Sequence, residues 1–333
     1  MTMDLTTTYM GIPLSNPLMP GAGPMADDLD TVKRLEDAGA PAIVMRSLFE
    51  EQLEEEQIAS HRAIEGHSNA SAEASSFLPA HHDLAFGPDS YLEQLRHIKE
   101  AVDVPVFGSL NGTSAGGWLE FAKLMEEAGA AGIELNVYQL STDPADTAEK
   151  LEKRIAEMVT SVKKQVSIPV AVKLSPFFTS LVHFAQRLDD AGADALILFN
   201  RFYQPDINVE ELEVEPRLQL STPSELLLRL RWLAAVSGNF SGSLVASGGV
   251  HDSIGALKAV MSGAHVAQVV SALLMHGPGH LTEMRQGLER WLEEHEYESL
   301  RQAHGSMNLQ RCPDPRAFTR ANYIHVLGSW RPD

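Results

Sequence analysis

The chain has 333 residues, 44% of them hydrophobic, and carries a formal net charge of −19 at pH 7. This length fits one large barrel domain with insertions, although a rule of about 150 residues per domain would suggest two. No apolar run approaches the ~20 residues of a membrane span, and the negative charge argues against nucleic acids and anionic membranes as partners.

The cysteine content and the polar N-terminus bear on metal sites and on the compartment. Cys312 is the only cysteine, which excludes an internal disulfide and a cysteine-based metal site. Because the adjacent His81 and His82 do not easily face one metal, no metal site is predicted. The first eight residues lack the apolar core of a signal peptide, so a cytoplasmic protein is expected.

Eight short apolar runs predict the strands of a parallel barrel, and helical patterns separate most of them. Four of the runs follow a repeated Ala-Gly-Ala or Ser-Gly-Ala at residues 38–40, 128–130, 191–193 and 262–264, which is typical of a helix end. The sequence therefore predicts an α/β protein whose residues 1–303 form a single (β/α)8 barrel, with a hairpin at residues 9–17 closing its bottom. The predicted strands are Leu18 to Gly21, Ala42 to Arg46, Val104 to Ser109, Gly132 to Asn136, Val170 to Leu174, Ala195 to Asn200, Leu244 to Gly249 and His265 to Ser271.

Three segments lie outside this repeat. Residues 48–88 form a long insertion after the second strand, and a loop of this length at the carboxyl side of a barrel usually covers the active site. Residues 201–222 follow the sixth strand, and the alternation from Val209 to Glu215 predicts a short hairpin over the mouth. Residues 304–333 form a C-terminal tail that is expected to pack on the barrel or on a neighbouring subunit.

Polar residues stand at the carboxyl ends of four predicted strands: Arg46, Asn136, Lys173 and Asn200. Barrel enzymes place their chemistry at this face, so four convergent polar ends predict a ligand site. The turn Gly21-Ala22-Gly23 after the first strand is small enough for a flat ligand to lie against its backbone.

The turns after the last two strands are candidates for a phosphate site. Ser247-Gly248-Gly249 and Val270-Ser271 are small, and a helix is predicted to begin near Asp252. Small residues let backbone N–H groups approach an anion, and barrels frequently bind phosphate at this position. No Gly-x-Gly-x-x-Gly unit accompanies them, which favours one phosphate over a pyrophosphate.

Taken together, these strand ends resemble the dihydroorotate dehydrogenase family of FMN-dependent barrels. The similarity runs from about Tyr9 to His304. It includes Asn-Pro-Leu-Met-Pro-Gly-Ala-Gly at the start, Glu-Leu-Asn after the fourth strand, Val-Lys-Leu on the fifth, Phe-Asn on the sixth and Ser-Gly-Gly on the seventh.

The resemblance implies bound FMN. Lys173 would lie near N1 and O2 of the flavin, where a cation stabilises the charge left by hydride uptake. Asn136 and Asn200 would bind edges of the cofactor or the substrate, and Arg46 stands where the family commonly has lysine. The implied cofactor-binding residues are Gly21, Ala22, Gly23, Arg46, Ser47, Asn111, Asn136, Lys173, Asn200, Ser247, Gly248, Gly249, Val270 and Ser271, with Gly248, Gly249 and Ser271 holding the phosphate.

The substrate side departs from the family. Gln139 stands where the family has a Ser or Cys base, and glutamine cannot act as a base. Ser141 stands where the family has a substrate-binding asparagine, and it is the fourth candidate catalytic residue beside Lys173, Asn136 and Asn200. Ser141, Tyr138 or a water held by Gln139 are the nearby candidates for taking the proton. The family's glycine-rich second phosphate loop is replaced around residues 220–222.

The leading hypothesis is an FMN-dependent oxidoreductase that transfers a hydride from dihydroorotate, or from an altered substrate, to flavin N5 in pyrimidine biosynthesis. One alternative is a Schiff-base aldolase acting through Lys173, and another is a catalytically silent protein that binds flavin or a partner. A small-molecule substrate and a homodimer are expected, and a redox partner protein is compatible with this reading.

Overall fold

The structure is a computed structural model that describes residues 3–49, 88–112, 115–137, 140–201, 204–215, 218–319, 323–329 and 331. Strands and helices alternate along most of this length. The strands are β1 (Thr7–Tyr9), β2 (Ile12–Leu14), β3 (Leu18–Pro20), β4 (Ile43–Val44), β5 (Leu48–Phe49), β6 (Val106–Asn111), β7 (Gly132–Asn136), β8 (Val170–Leu174), β9 (Ala195–Leu198), β10 (Asp206–Asn208), β11 (Glu213–Glu215), β12 (Ser243–Ser247) and β13 (Val266–Val269). The helices are α1 (Leu29–Asp37), α2 (Pro88–Ala101), α3 (Ala115–Glu127), α4 (Ala148–Gln165), α5 (Leu181–Asp190), α6 (Leu226–Val236), α7 (Ser253–Met261), α8 (Ser271–His276), α9 (His280–Glu294), α10 (Leu300–Ala303) and α11 (Tyr323–Ser329).

Eight of these strands form a parallel barrel, as predicted. Hydrogen bonds join them in the order β3-β13-β12-β9-β8-β7-β6-β4. Each strand therefore pairs with its neighbour in the chain, and β3 contacts β4 where the ring closes. The helices between the strands cover the outside, which gives a (β/α)8 barrel with β5 as a short extra strand beside β6.

The barrel strands are buried on both faces, which explains their continuous apolar runs. Outward-facing residues such as Leu135 and Val172 pack under the helices in the larger core cluster. Inward-facing residues such as Phe107, Ile197 and Val245 form a second cluster inside the barrel. The inner cluster fills the amino-terminal end of the barrel and leaves the carboxyl end for polar side chains.

The repeated glycines mark helix ends, as the sequence indicates. Gly39, Gly129, Gly192 and Gly263 follow α1, α3, α5 and α7, with φ between 92° and 114°. A residue with a Cβ rarely adopts this conformation, so glycine ends each helix and turns the chain into the next strand.

The predicted N-terminal hairpin closes the bottom of the barrel, although it spans Thr7–Leu14 and not residues 9–17. Tyr9 is fully buried inside the barrel, where its ring meets Phe107 edge-on at 5.2 Å between centroids. The Thr7 hydroxyl donates to the His265 carbonyl at 2.8 Å, at the start of the last barrel strand.

Two element boundaries differ from the prediction. The third barrel strand was expected to end at Ser109, but β6 continues to Asn111, because its carboxyl end pairs with both β7 and β5. The hairpin after the sixth barrel strand is present, but its strands are Asp206–Asn208 and Glu213–Glu215, so the alternating stretch contains its turn. Residues 50–87, most of the first predicted insertion, lie outside the described residues.

The start of the C-terminal segment hydrogen-bonds to helices of the barrel. The backbone N–H groups of Gly305, Met307 and Leu309 donate to carbonyls at the ends of α7 and in α6, at 2.8 to 3.0 Å. The division of the chain into a barrel and a tail at residue 304 stays a prediction. Among the described residues, no helix combines the length and the apolar character needed to cross a membrane.

Candidate functional site

The barrel interior changes from apolar to polar toward the carboxyl ends of the strands. Above the apolar inner cluster lies a ring of buried polar side chains from five different strands. Its members are Ser109, Glu134, Asn136, Lys173, Ser247 and Gln268. Since a polar group is costly to bury without a partner, this ring is the candidate ligand site of the barrel.

Asn136 is held rigidly at the end of β7. Its Nδ2 lies 2.8 Å from Ser109 Oγ, 3.0 Å from Ser47 Oγ and 3.1 Å from the Leu110 carbonyl. The two serine hydroxyls are themselves 2.8 Å apart. The structure thus brings predicted residues Ser47 and Asn136 together, with Asn111 paired opposite Asn136.

Lys173 lies beside Asn136 in the β7–β8 register and has only 6% of its surface exposed. Burial lowers the pKa of the Lys173 ammonium, and the negative charge of Glu134 opposes this shift. Burial likewise raises the pKa of the Glu134 carboxyl, while Lys173 and hydrogen bonds from Tyr9 and Gln268 lower it. Lys173 and Glu134 are therefore two buried titratable side chains that influence each other electrostatically inside the barrel.

The predicted phosphate turn has the expected backbone shape. Gly248 and Gly249 have φ of 90° and 81°, which favours glycine at both positions. Ser271 Oγ accepts from the Ser221 backbone N–H at 2.9 Å and from the Ser221 hydroxyl at 2.9 Å. Ser221, which stands where the family has a glycine-rich loop, thus joins the two predicted turns.

Two further side chains surround this turn, and the sequence analysis did not identify them. Arg229 of α6 is buried, and its Nε donates to the Ser247 carbonyl at 3.0 Å. His251 Nε2 lies 3.2 Å from Ser221 Oγ. The position of Arg229 on a helix four residues after Glu225 hides its role in a sequence, because the pattern resembles an ordinary exposed ion pair.

The first predicted turn lies against the last barrel strand. The Gly21 N–H donates to the Val269 carbonyl at 3.3 Å. A Cβ on Gly21 would lie 2.9 Å from Val270 Cγ2, and one on Gly23 would lie 3.2 Å from Val270 Cγ1. A larger residue at Gly21 or Gly23 would displace the Val270 side chain, so the turn packs closely against the end of the last barrel strand.

Two predicted residues make contacts away from this ring. Arg46 is exposed, and its Nη1 pairs with Asp27 Oδ2 at 2.7 Å. Ser141 donates to Asp146 Oδ2 at 2.8 Å and lines a cavity of about 250 Å³ with Ser175. No hydrogen bond among the described residues joins Ser141 to Asn136 or Lys173.

Asn200 lies at the rim of the barrel mouth. Its N–H donates to the Leu174 carbonyl at 2.7 Å, and the residue lines a cavity of about 630 Å³ with Arg201 and Arg229. A larger cavity of about 880 Å³ runs along α4 and is lined mainly by helix residues, so it lies outside the ring of polar strand ends. Among the described residues no cluster of three metal-ligating side chains occurs.

A nearly closed parallel barrel with a buried lysine, a fixed amide and a glycine turn at its carboxyl end has the architecture of a cofactor-dependent barrel enzyme. A sequence model of dihydroorotate dehydrogenase matches residues 4–292. The chain therefore belongs to the dihydroorotate dehydrogenase family and is a flavin-dependent oxidoreductase acting on CH–CH bonds. Family membership sets aside the Schiff-base aldolase alternative for Lys173.

Curated relatives carry the same family name. A protein from Thermoplasma volcanium, named dihydroorotate dehydrogenase B (NAD(+)), catalytic subunit, is 26% identical over 91% of this chain and 98% of its own length. Proteins of the same name from Geobacter sp. strain M21 and Methanothermobacter thermautotrophicus are 31% and 27% identical. These two alignments cover 67% and 86% of this chain, and 74% and 93% of the relatives.

Proposed function

We propose that the chain binds FMN at the carboxyl ends of the barrel strands and oxidises dihydroorotate, or a closely related dihydropyrimidine acid, in pyrimidine biosynthesis. The names of the relatives support the substrate class. The observation that carries the proposal is the buried Lys173 beside the fixed amide of Asn136, with a phosphate-sized glycine turn two strands further round the barrel.

The residues at the mouth fit an FMN molecule. The Gly21-Ala22-Gly23 backbone offers a flat apolar surface, and the space beside Gly248 is limited because a Cβ there would lie 2.8 Å from Arg229 Nη2. The Arg229 guanidinium brings a positive charge to the turn that would hold the phosphate. When bound, FMN supplies a two-electron acceptor that takes a hydride at N5.

Each side chain has a role in this proposal. Lys173 would face N1 and O2 of the flavin and stabilise negative charge there, because a cation in a buried site acts with little screening. Asn136, fixed by Ser47 and Ser109, would hold a polar edge of the ligand without reorganising. Asn200 would contact the substrate from the rim.

The proton from the substrate carbon needs an acceptor other than Gln139. Tyr138 and Gln139 lie outside the described residues. We assign this role to Ser141, whose hydroxyl already donates to the Asp146 carboxylate at 2.8 Å. The hydrogen bond from Ser141 lowers the pKa of the Asp146 carboxyl, so the carboxylate stays ionised and orients the serine hydroxyl. As the serine oxygen takes the proton from the substrate, its own proton would pass to solvent, to which Ser141 and Asp146 are partly exposed.

The electrons would leave through a partner. The relatives are named as catalytic subunits, which implies that those proteins function with another subunit. We extend this to the present chain, which would pass its electrons to a redox partner protein.

Spectroscopy of the purified protein tests the proposal. We expect a flavin absorption spectrum, release of FMN on denaturation, and loss of the flavin absorbance when dihydroorotate is added without oxygen. Release of FAD, or no flavin after reconstitution with FMN, contradicts the cofactor assignment. Bound FMN that no dihydropyrimidine reduces contradicts the substrate assignment and favours the catalytically silent alternative.

A further inference from the structure

A carboxylate lies in the interior of the barrel, directly above the apolar inner cluster. Glu134 of β7 is fully buried, and its Oε1 accepts from the Tyr9 hydroxyl at 3.0 Å and from Gln268 Nε2 at 2.6 Å. Glu134 Oε2 is also buried and has no hydrogen-bond partner among the described residues. An ionised side chain in such a place is costly unless an opposite charge lies close by.

The strand register supplies that charge. Glu134 pairs with Ala171 and Asn136 pairs with Lys173, so Glu134 and Lys173 occupy diagonal positions on neighbouring strands. Their side chains point into the same interior, two residues apart along the shared register of these parallel strands. The carboxylate therefore lies below the lysine and on the side away from the barrel mouth.

Folding alone does not require this pair. Residues such as Phe107, Ile197 and Val245 already fill the amino-terminal end of the barrel with apolar volume. Replacing a buried ion pair with apolar residues is often neutral or stabilising, so packing alone does not account for a carboxylate in this place.

We propose that Glu134 is the positioning residue for Lys173: its carboxylate holds the lysine in the protonated form at the floor of the cofactor pocket. The inference rests on the proposed function, in which Lys173 faces the flavin. A neutral amine there would give little stabilisation to developing negative charge, whereas the ammonium gives much more. Gln268 and Tyr9 orient the carboxylate, so the three side chains form one support beneath the lysine.

The neighbouring titratable groups leave this role to Glu134. Among the described residues, the charge of Glu134 acts on Tyr9 of the N-terminal hairpin, which donates to the carboxylate, and on Tyr91 of α2, which donates to the Ser109 carbonyl. Burial raises the pKa of both phenols, so they stay neutral at physiological pH and donate hydrogen bonds. Glu134 is then the anion that Lys173 faces inside the barrel.

The test measures the protonation of Lys173 directly. Reductive methylation with formaldehyde and a borane reagent modifies neutral amines. Peptide mass spectrometry measures the extent of modification at Lys173 between pH 6 and 11, and the midpoint of this curve is the pH at which the amine loses its proton. We expect Glu134→Gln to lower this midpoint by at least about one pH unit, because an opposite charge nearby shifts a pKa by about 1 to 3 units. Glu134→Asp keeps the negative charge, so its midpoint should lie closer to that of the wild type than to that of Glu134→Gln.

Tyr9→Phe is the matched control, because it removes one hydrogen bond to Glu134 without changing a charge. We expect its midpoint to lie within about half a pH unit of the wild-type value, well inside the effect of a full charge. An unchanged midpoint in Glu134→Gln overturns the inference. If that variant does not fold, the wild-type chain still decides, since a Lys173 that is already neutral at pH 7 refutes the role. The labelling does not depend on turnover, and the flavin content is measured separately, so failure of this inference differs from failure of the flavin assignment.

Discussion

Replacing Lys173 with methionine removes the cation and keeps an unbranched side chain of similar length in the barrel. In the proposed site the lysine interacts weakly with oxidised flavin and strongly with the negative charge that develops during reduction. A buried donor of this kind is worth about 2.7 to 4 kcal/mol, which corresponds to a loss of about 100 to 1000 fold in the rate of flavin reduction. Flavin affinity should fall much less.

The structure adds a second consequence, because Lys173→Met leaves Glu134 buried without an opposite charge. Breaking a buried pair in this way costs about 3 to 5 kcal/mol of stability. A stability loss therefore does not by itself argue against a catalytic role. The double variant Lys173→Met/Glu134→Gln removes both charges, and we expect it to recover most of the stability while its reduction rate stays low.

Two measurements on the three proteins separate these effects. Stopped-flow reduction without oxygen gives the rate, and urea unfolding at pH 7 gives the free energy of unfolding. If the double variant regains a reduction rate within about tenfold of the wild type, the lysine acts through stability and does not lie beside the flavin. A Lys173→Met protein that keeps both its rate and its stability would refute the charge pair as well.

Three further outcomes follow from particular contacts. Ser141→Ala should slow flavin reduction by dihydroorotate by about 100 fold or more but leave reduction by dithionite unchanged, since only the substrate needs a general base. Equal effects on the two reductants would show that Ser141 does not take part in the proton transfer. Gly249→Ala should lower the free energy of unfolding by more than about 3 kcal/mol, because its Cβ would overlap the backbone of Leu226. Gly11 also has a positive φ but lies in open space, so Gly11→Ala should cost only about 1 to 2 kcal/mol. Similar losses in the two variants would show that the turn at Gly249 is not closely packed. Burial lowers the pKa of His265 to about 4, and its Nδ1 accepts from the Leu244 N–H at 3.0 Å, so the neutral form stabilises the fold. That stability is present above about pH 6.5 and is lost as the pH falls toward 4, by at most about 1.4 kcal/mol per pH unit. The free energy of unfolding should therefore fall less between pH 7 and pH 5 in His265→Asn than in the wild type.

Much of the barrel could be predicted because its strands are buried on both faces and read as short apolar runs. The glycines at 39, 129, 192 and 263 fixed the phase of the repeat, since each ends a helix at positive φ. The errors occurred where pairing overrides local pattern. The apolar run predicts a strand that ends at Ser109, yet β6 extends to Asn111 because β5 and β7 both pair there. A short extra strand such as β5 has no sequence signal of its own.

The sequence predicted the site residues at the strand ends, but not the side chains that hold them in place. Asn136, Lys173 and the glycine turn lie in motifs that can be seen along the chain, but Tyr9, Gln268 and Arg229 reach the site from the opposite side of the barrel or from a covering helix. Glu134 lies within the Glu-Leu-Asn motif, and a charged residue at an inward position of a buried strand was the available signal. The period of two along β7 places Glu134 and Asn136 on one face, so the residue proposed to bind the ligand and the residue proposed to support Lys173 come from the same strand. That arrangement makes β7 the element whose register most directly controls the site: a shift of one residue would turn Glu134 and Asn136 out of the interior and replace them with leucine and isoleucine.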